Sequence, residues 1–374
     1  MVPYAGPEFF LAVALLALLL LAFRRQIAAQ SAYLPLLALA TTASTVWIYG
    51  QTAVRPFAFA AVAYALLRLA QKGAVPRWVA VVFTLAPLLL IKTLASGGWL
   101  MLGLSFATFR ALDVLLYSRA DERIGLAEYG AYLLCPLLLL AGPMYRWQAF
   151  RSDARRAADV LSVSACMAGI EVVLLGVVQK FLVADAVDHY WLSLLPEKDF
   201  STPIVVQTAL AYSAFLYFDF AGYSNMAVGI GRMLGLNPPE NFRNPVFAAN
   251  PNDFWQRWHI SLSQWLRDVV FMPVYKNLSR LAYFTRHRLF AQNLAIFATL
   301  MAMGTWNGLE RRYVASGALF GAYSVIYNCV LHYSRSVPLV ARLRSNGIAS
   351  AGGRVVTILA AMFALYVFSG RSRI

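Results

Sequence analysis

The chain has 374 residues, of which 60% are hydrophobic and only 13% are charged, and its mean hydropathy is +0.61. A soluble domain carries roughly 25% charged residues, so this composition excludes an ordinary soluble protein and indicates one that crosses a bilayer several times. The net charge of +15 would suggest nucleic acid as the partner of a soluble protein. Here the basic residues are scattered between apolar segments, where they act as topology signals and contact anionic lipid, so no nucleic acid is expected.

Apolar runs with the length of membrane helices recur along the whole chain. They are predicted at about Phe9–Phe23, Leu34–Tyr49, Phe57–Ala70, Trp78–Leu94, Tyr129–Ala141, Ser164–Val183, Pro203–Met233, Leu289–Met303, Val314–Leu331 and Val355–Phe368. Ser105–Arg110 does not fit a simple alternation of spans, and we expect a re-entrant or interfacial piece there. The basic residues around Arg146–Arg156 are expected in the cytoplasm and the loop Asp185–Asp199 outside. The sequence therefore predicts an all-α, polytopic membrane protein with roughly ten spanning or re-entrant helices and a single domain, residues 1–374.

The segment Asn250–Arg280 is too polar to cross the bilayer alone. Asn252 or Asp253 can cap a helix start, and Pro273 is expected to end or bend that helix. One helix is therefore predicted over Pro251–Pro273, and its helical spacing predicts an aromatic stripe formed by Trp255, Trp258, Leu262 and Trp265. His259 and Ser263 share a different face, while Arg257, Arg267 and Asp268 add charge. Such a helix is either part of a membrane active site or an amphipathic anchor at the headgroups.

Asp219 interrupts the apolar run 203–233. A carboxylate inside a membrane helix costs on the order of 3 kcal/mol, so Asp219 is expected to face a polar interior. An arginine such as Arg257 or Arg267 is its predicted partner.

The run FWQRWHISLSQWLRD, residues 254–268, resembles the signature of the membrane-bound O-acyltransferases (MBOAT). Within that family the resemblance is strongest to the branch that holds the DltB-like D-alanyl transfer proteins and the alginate O-acetyltransferases. It extends to the segments Tyr217–Ser224, Pro239–Phe242, Met303–Gly308 and Phe368–Gly370, and to Gly142, Pro143 and Arg146.

The resemblance implies a central tunnel through the membrane, with the donor thioester arriving from the cytoplasm and the acceptor from the opposite side. It implies that His259 is one of two catalytic positions. The second family position holds histidine after a tryptophan, but here Trp306 is followed by Asn307. The remaining candidates for tunnel or structural roles are Asp219, Trp255, Arg257, Trp258, Ser261, Ser263, Arg267, Asp268 and Trp306. The four histidines show no HxxxH or HExxH spacing, so no metal site is expected.

Asn307 leaves three interpretations open. His259 acts as the base while the Asn307 amide donates to the oxyanion; or the protein guides a carrier or acceptor without transferring the group; or a former enzyme survives as a scaffold or export subunit. An asparagine amide cannot take a proton near pH 7, which is why the departure bears on activity.

The resemblance also implies a substrate class. Residues 271–277 lack the glycines of the alginate-type motif and the chain is shorter, which favours D-alanyl transfer. The donor would then be a thioester on the phosphopantetheine arm of an acidic acyl carrier protein at the cytoplasmic face, with no bound cofactor. An extracytoplasmic acyltransferase or acceptor-binding partner would receive the group for a cell-envelope polymer, in the bacterial cell membrane. The alternatives are polysaccharide O-acetylation from acetyl-CoA, and a transporter or flippase without chemistry.

Overall fold

A computed structural model describes residues 6–29, 32–94, 103–135, 142–334 and 347–372. Over these residues the chain is helical, and an isolated antiparallel bridge between Phe242 and Trp258 is the one strand-like pairing. The all-α prediction is therefore confirmed.

The contacts divide the chain into two compact units. The first unit comprises Met1–Val177 and Gly222–Pro239, and the second comprises Val178–Ala221 and Glu240–Ile374. From the N-terminus to Val177, the described helices are α1 (Pro7–Ala22), α2 (Arg24–Ala29), α3 (Tyr33–Tyr49), α4 (Val54–Gln71), α5 (Arg77–Leu94), α6 (Leu104–Tyr117), α7 (Leu126–Leu133), α8 (Trp147–Val160) and α9 (Val163–Val177).

After Val177 the helical elements are a π-helical stretch (Val178–Ala184), α10 (Asp185–Tyr190), α11 (Thr202–Met233), α12 (Pro251–Trp255), α13 (Ile260–Leu266), a second π-helical stretch (Arg267–Phe271), α14 (Met272–Leu278), α15 (Ala282–Arg286), α16 (Arg288–Thr305), α17 (Arg311–Tyr333) and α18 (Gly347–Phe368). Short 3₁₀ turns lie at Gly50–Ala53, Leu192–Leu194 and Pro245–Phe247. The predicted single domain stays a prediction.

Five helical segments among the described residues are long and apolar enough to cross a membrane: Tyr33–Gln71, Val163–Leu194, Thr202–Met233, Arg311–Tyr333 and Ala351–Phe368. The shorter apolar helix Glu8–Ala22 precedes them. Each of these six segments coincides with one or two predicted spans, because the length of an apolar run can be read directly from the sequence. The helix predicted over Tyr129–Ala141 ends early, since α7 stops at Leu133, and residues 136–141 lie outside the described residues.

The interior of the first unit is built on α6, which contains the segment Ser105–Arg110 that was expected to be re-entrant or interfacial. α6 is buried along nearly its whole length, Arg110 and Asp113 included, and the position of this segment relative to the membrane stays a prediction. Arg110 donates to the carbonyl of Tyr132 at 2.8 Å. Asp113 accepts the backbone N–H of Trp147 at 2.7 Å and pairs with Arg146 at 2.6 Å. These partners explain how two ionised groups are accommodated in the core.

Candidate functional site

The segment predicted as one helix over Pro251–Pro273 is broken, so that prediction is wrong. α12 ends at Trp255, α13 begins at Ile260, and Pro273 lies in the first turn of α14 instead of ending a helix. The helix start is also shifted, because Asn250 is the N-cap and accepts the backbone N–H of Asp253 at 3.0 Å. Asp253 in turn accepts the N–H of Ala249 at 2.8 Å, which makes a reciprocal cap.

His259 is the residue at which the helix breaks. Its backbone lies in the left-handed region, with φ 45° and ψ 50°, which a non-glycine residue rarely adopts. The chain on both sides is tied to a preceding loop. Arg243 N–H donates to the carbonyl of Arg257 at 2.9 Å, and Ile260 N–H donates to the carbonyl of Asn241 at 2.9 Å. This pairing competes with a continuous helix and holds His259 in its unusual conformation.

The Asn241 side chain adds a second tie. Its Oδ1 accepts the hydroxyl of Ser261 and lies 3.4 Å from the Ser261 backbone nitrogen, and Asn241 is 2% exposed. Asn241 was predicted only as part of the family segment Pro239–Phe242. An asparagine two residues after the Pro238-Pro239 pair was the available signal, because such a side chain can replace backbone partners.

The His259 imidazole is buried, with 6% of the residue exposed. It meets the Phe220 ring edge to face, with centroids 4.6 Å apart. Its Nε2 has no hydrogen-bond partner among the described residues. Burial lowers the pKa of His259 well below its ordinary value of 6.5, because the charged imidazolium loses its hydration. At neutral pH His259 is therefore an uncharged imidazole, and its Nε2 is buried.

The prediction that one helix face carries an aromatic stripe is wrong, because the helix breaks at His259. The break separates the members of the predicted stripe, which are Trp255, Trp258, Leu262 and Trp265. Trp258 instead packs against Phe242 at 5.1 Å and Phe254 at 5.6 Å between ring centroids, while Trp255 contacts Phe320 at 4.8 Å. Trp265 and Leu262 are buried on α13. The aromatic residues thus form a cluster around the loop that carries His259.

The charged candidates pair locally. Arg257 Nε lies 2.8 Å from Asp253 Oδ1, and Arg267 Nε lies 3.1 Å from Asp268 Oδ1. Ser263 is half-buried and donates to the carbonyl of Trp258 at 3.3 Å. These ion pairs and this hydrogen bond join residues within the segment 253–268.

The predicted arginine partner of Asp219 is wrong. Asp219 forms an ion pair with Lys180 of the first π-helical stretch. Sequence alone could not select this partner, because Lys180 lies 39 positions away. The physical expectation, that a carboxylate in a membrane helix has a cationic partner, holds.

Asn307 follows α16, and its amide donates to the carbonyl of Met303 at 3.2 Å. The Asn307 side chain is exposed and Trp306 is half-buried. In the parts of the chain that the structure describes, no hydrogen bond joins Asn307 to His259. The expectation that both line one tunnel stays a prediction.

The second unit holds a partly open cavity of about 350 Å³ beside the aromatic cluster, with Tyr217, Phe254 and Trp258 in its wall. His259 does not line it. No group of three or more histidine, cysteine or acidic residues that could hold a metal ion occurs within the described residues.

A buried histidine in the loop between α12 and α13 of a polytopic helical protein agrees with the family resemblance of residues 254–268. The chain belongs to the membrane-bound O-acyltransferase family, whose model matches residues 13–369. It is 30% identical over 280 residues to the teichoic acid D-alanyltransferase of Bacillus subtilis, covering 72% of this chain and 69% of that protein. The teichoic acid D-alanyltransferase of Streptococcus thermophilus is 29% identical, with 72% and 68% covered. The probable alginate O-acetylase AlgI of Pseudomonas aeruginosa is 32% identical over 61% of this chain and 42% of its own length.

Proposed function

We propose that this chain transfers an acyl group to a hydroxyl, with His259 taking the hydroxyl proton. The supporting observation is the buried, uncharged imidazole whose Nε2 lacks a partner. As the hydroxyl oxygen attacks the thioester carbonyl, its proton passes to the imidazole, and collapse of the tetrahedral intermediate expels the thiolate, which takes that proton. A base positioned in this way contributes roughly 10²–10⁴-fold to the rate.

The acyl group is D-alanyl and the donor is a thioester on a phosphopantetheine carrier protein at the cytoplasmic face. Similarity to two teichoic acid D-alanyltransferases over about 70% of each chain supports this choice. A partner outside the cytoplasm receives the group for an envelope polymer, and the protein resides in the bacterial cell membrane. Arg155 and Arg156 of α8 are exposed and could meet an acidic carrier, although Arg156 also lies 3.5 Å from Asp153 Oδ1. Arg146 and Arg151 of the same predicted basic cluster are already paired with Asp113, Glu122 and Glu128.

Polysaccharide O-acetylation from acetyl-CoA is the second candidate. The observation in its favour is the 32% identity to the alginate O-acetylase over 234 residues, a shorter match than those to the teichoic acid D-alanyltransferases. Its weakness is coverage, since less than half of that relative is matched.

The test uses purified protein in lipid vesicles with radiolabelled D-alanyl carrier protein or acetyl-CoA and candidate hydroxyl acceptors. His259→Ala is expected to lower acyl incorporation roughly 10²–10⁴-fold. His332→Ala is the matched control, because His332 is exposed and contacts only the neighbouring Tyr333 ring among its aromatic partners. Unchanged incorporation in His259→Ala removes His259 from the mechanism, and the donor that is consumed separates the two candidate activities.

Asn307→His then distinguishes the interpretations of Asn307. A faster rate means that the native protein lacks a base at this position. A slower rate, from a native protein that is already active, supports the exchanged roles of His259 and Asn307. If neither protein transfers the group while the carrier still binds, the chain serves as a scaffold.

A further inference from the structure

His259 does not line the cavity of about 350 Å³ in the second unit. Its size falls within the range of roughly 300–1,000 Å³ that is common for small-molecule sites. Residues of α11, the aromatic loop and α18 line it, and no charged side chain is among them. An apolar cavity of this kind does not hold water well, so an apolar occupant is favoured.

One polar group in the wall lacks a partner. Ser213 of α11 lines the cavity, is 8% exposed, and its Oγ has no hydrogen-bond partner among the described residues. Some other hydroxyls within helices bond to the carbonyl four residues before them, as Thr299 does to Ala295 and Thr357 to Gly353 at 2.7–2.8 Å, whereas Thr41, Thr108 and Ser324 also lack a partner among the described residues. A buried hydroxyl without a partner is unfavourable, so a ligand that offers one acceptor would gain from binding here.

The helices that line the cavity indicate the chemical class of its ligand. The cavity is lined from α11 and α18, and both contain segments long and apolar enough to cross the membrane. A ligand can therefore enter from the hydrocarbon layer, where fatty-acyl chains are the abundant solutes. Pantetheine, sugars and amino acids each carry several polar groups, which this wall cannot satisfy.

We propose that this cavity binds one fatty-acyl chain of a membrane lipid, whose ester carbonyl accepts the hydroxyl of Ser213. The chain would pack against Trp258, the residue before His259. The site is separate from the proposed transfer reaction, and the lipid is bound without being consumed.

The test places the purified protein in phosphatidylglycerol vesicles that contain a lipid with a photoactivatable diazirine on its acyl chain. After irradiation and digestion, mass spectrometry maps the labelled peptides. We expect label concentrated on residues 210–218 and 358–365. Ser213→Ala should lower this label roughly fivefold, the effect of losing one hydrogen bond. Ala214→Phe, which fills the cavity, should abolish it.

Leu359→Phe is the matched control, since Leu359 is 58% exposed on the outer face of α18 and does not line the cavity. It should label like the native protein, and so should His259→Ala, which separates this proposal from the transfer reaction. Label spread evenly over the apolar surface and unchanged in both Ser213→Ala and Ala214→Phe would show ordinary boundary lipid and overturn the proposal. If Ala214→Phe does not fold, the Ser213→Ala comparison decides alone.

Discussion

His259 combines two features that rarely occur together, a left-handed backbone and a buried imidazole. A left-handed conformation costs an L-residue roughly 1–2 kcal/mol, so surrounding contacts must hold it. Asn241 supplies those contacts through its backbone carbonyl, which accepts Ile260 N–H, and through its side chain, which accepts the Ser261 hydroxyl. We interpret Asn241 as a residue that positions His259 without touching a substrate.

The Asn241–Ser261 pair can be tested by a double-mutant cycle. Asn241→Ala removes the acceptor of a buried hydroxyl, which costs about 1–3 kcal/mol, and Ser261→Ala removes the donor. We expect the double variant to be less destabilised than the sum of the two, with a coupling free energy of about 0.5–3 kcal/mol. Thermal unfolding of the purified proteins measures it. Strict additivity would show that the two side chains act independently of each other.

The protonation of His259 gives a pH dependence. Burial depresses its pKa in the folded protein, whereas the unfolded chain protonates near the ordinary value of 6.5. Its contribution to stability is therefore fully present above about pH 6.5 and is lost as the pH falls below that value. Native protein should lose more stability than His259→Gln between pH 7 and pH 5, as measured by thermal unfolding. Parallel curves for the two proteins would contradict the buried, neutral state.

Sequence predicted part of this site. The family motif pointed to His259, and its expected place in a central tunnel stays a prediction. The left-handed conformation and the role of Asn241 were not predicted, because both arise from hydrogen bonds between positions that lie about 20 residues apart. A periodicity argument assumes that each residue continues the helix, and at His259 the backbone does not.

At the scale of elements, α9 and the C-terminal part of α11 pack closely within the first unit because of their glycines. A Cβ on Gly176 would lie 2.6 Å from the carbonyl oxygen of Gly222, and one on Gly229 would lie 2.5 Å from the carbonyl oxygen of Gly169. Membrane helices depend on such close backbone approach, because there is no hydrophobic drive between them inside lipid. The close approach of these two helices therefore depends on the missing side chains of Gly176 and Gly229.

Gly176→Ala is expected to lower the stability of the first unit by about 1–3 kcal/mol, since the methyl group must push two helix backbones apart. Gly130→Ala is the matched control within the same unit, because a Cβ there would meet nothing within 4 Å. Thermal unfolding in detergent should show a lower midpoint for Gly176→Ala. Equal midpoints for the two variants would mean that α9 can shift to accept the methyl group.

At the scale of the whole molecule, charge predicts the positions of the loops relative to the membrane. The exposed residue Ser152 lies on basic helix α8, predicted in the cytoplasm, and the exposed residue Ser193 lies in the loop Asp185–Asp199, predicted outside. The apolar segment Val163–Leu194 begins between them. An orientation with α8 inside satisfies the positive-inside rule.

Cysteine labelling tests this orientation. In a background with Cys135, Cys166 and Cys329 replaced by serine, Ser193→Cys should react with a membrane-impermeant maleimide in intact cells. Ser152→Cys should react only after the membrane is permeabilised. Labelling of both in intact cells, or the reverse pattern, would contradict the predicted topology.

The sequence by itself determined the class of protein, the membrane helices and the motif around His259. Apolar length and composition act locally along the chain, so no distant contact is needed to read them. The tertiary structure decided how that motif is used. In the folded protein Asp219 pairs with Lys180, and the predicted helix is interrupted at His259. The hydroxyl of Ser213 lies in the wall of an apolar cavity. Each of these depends on which distant residue supplies a partner, and hydrogen-bond satisfaction inside a folded protein is settled between elements, beyond the reach of any local pattern.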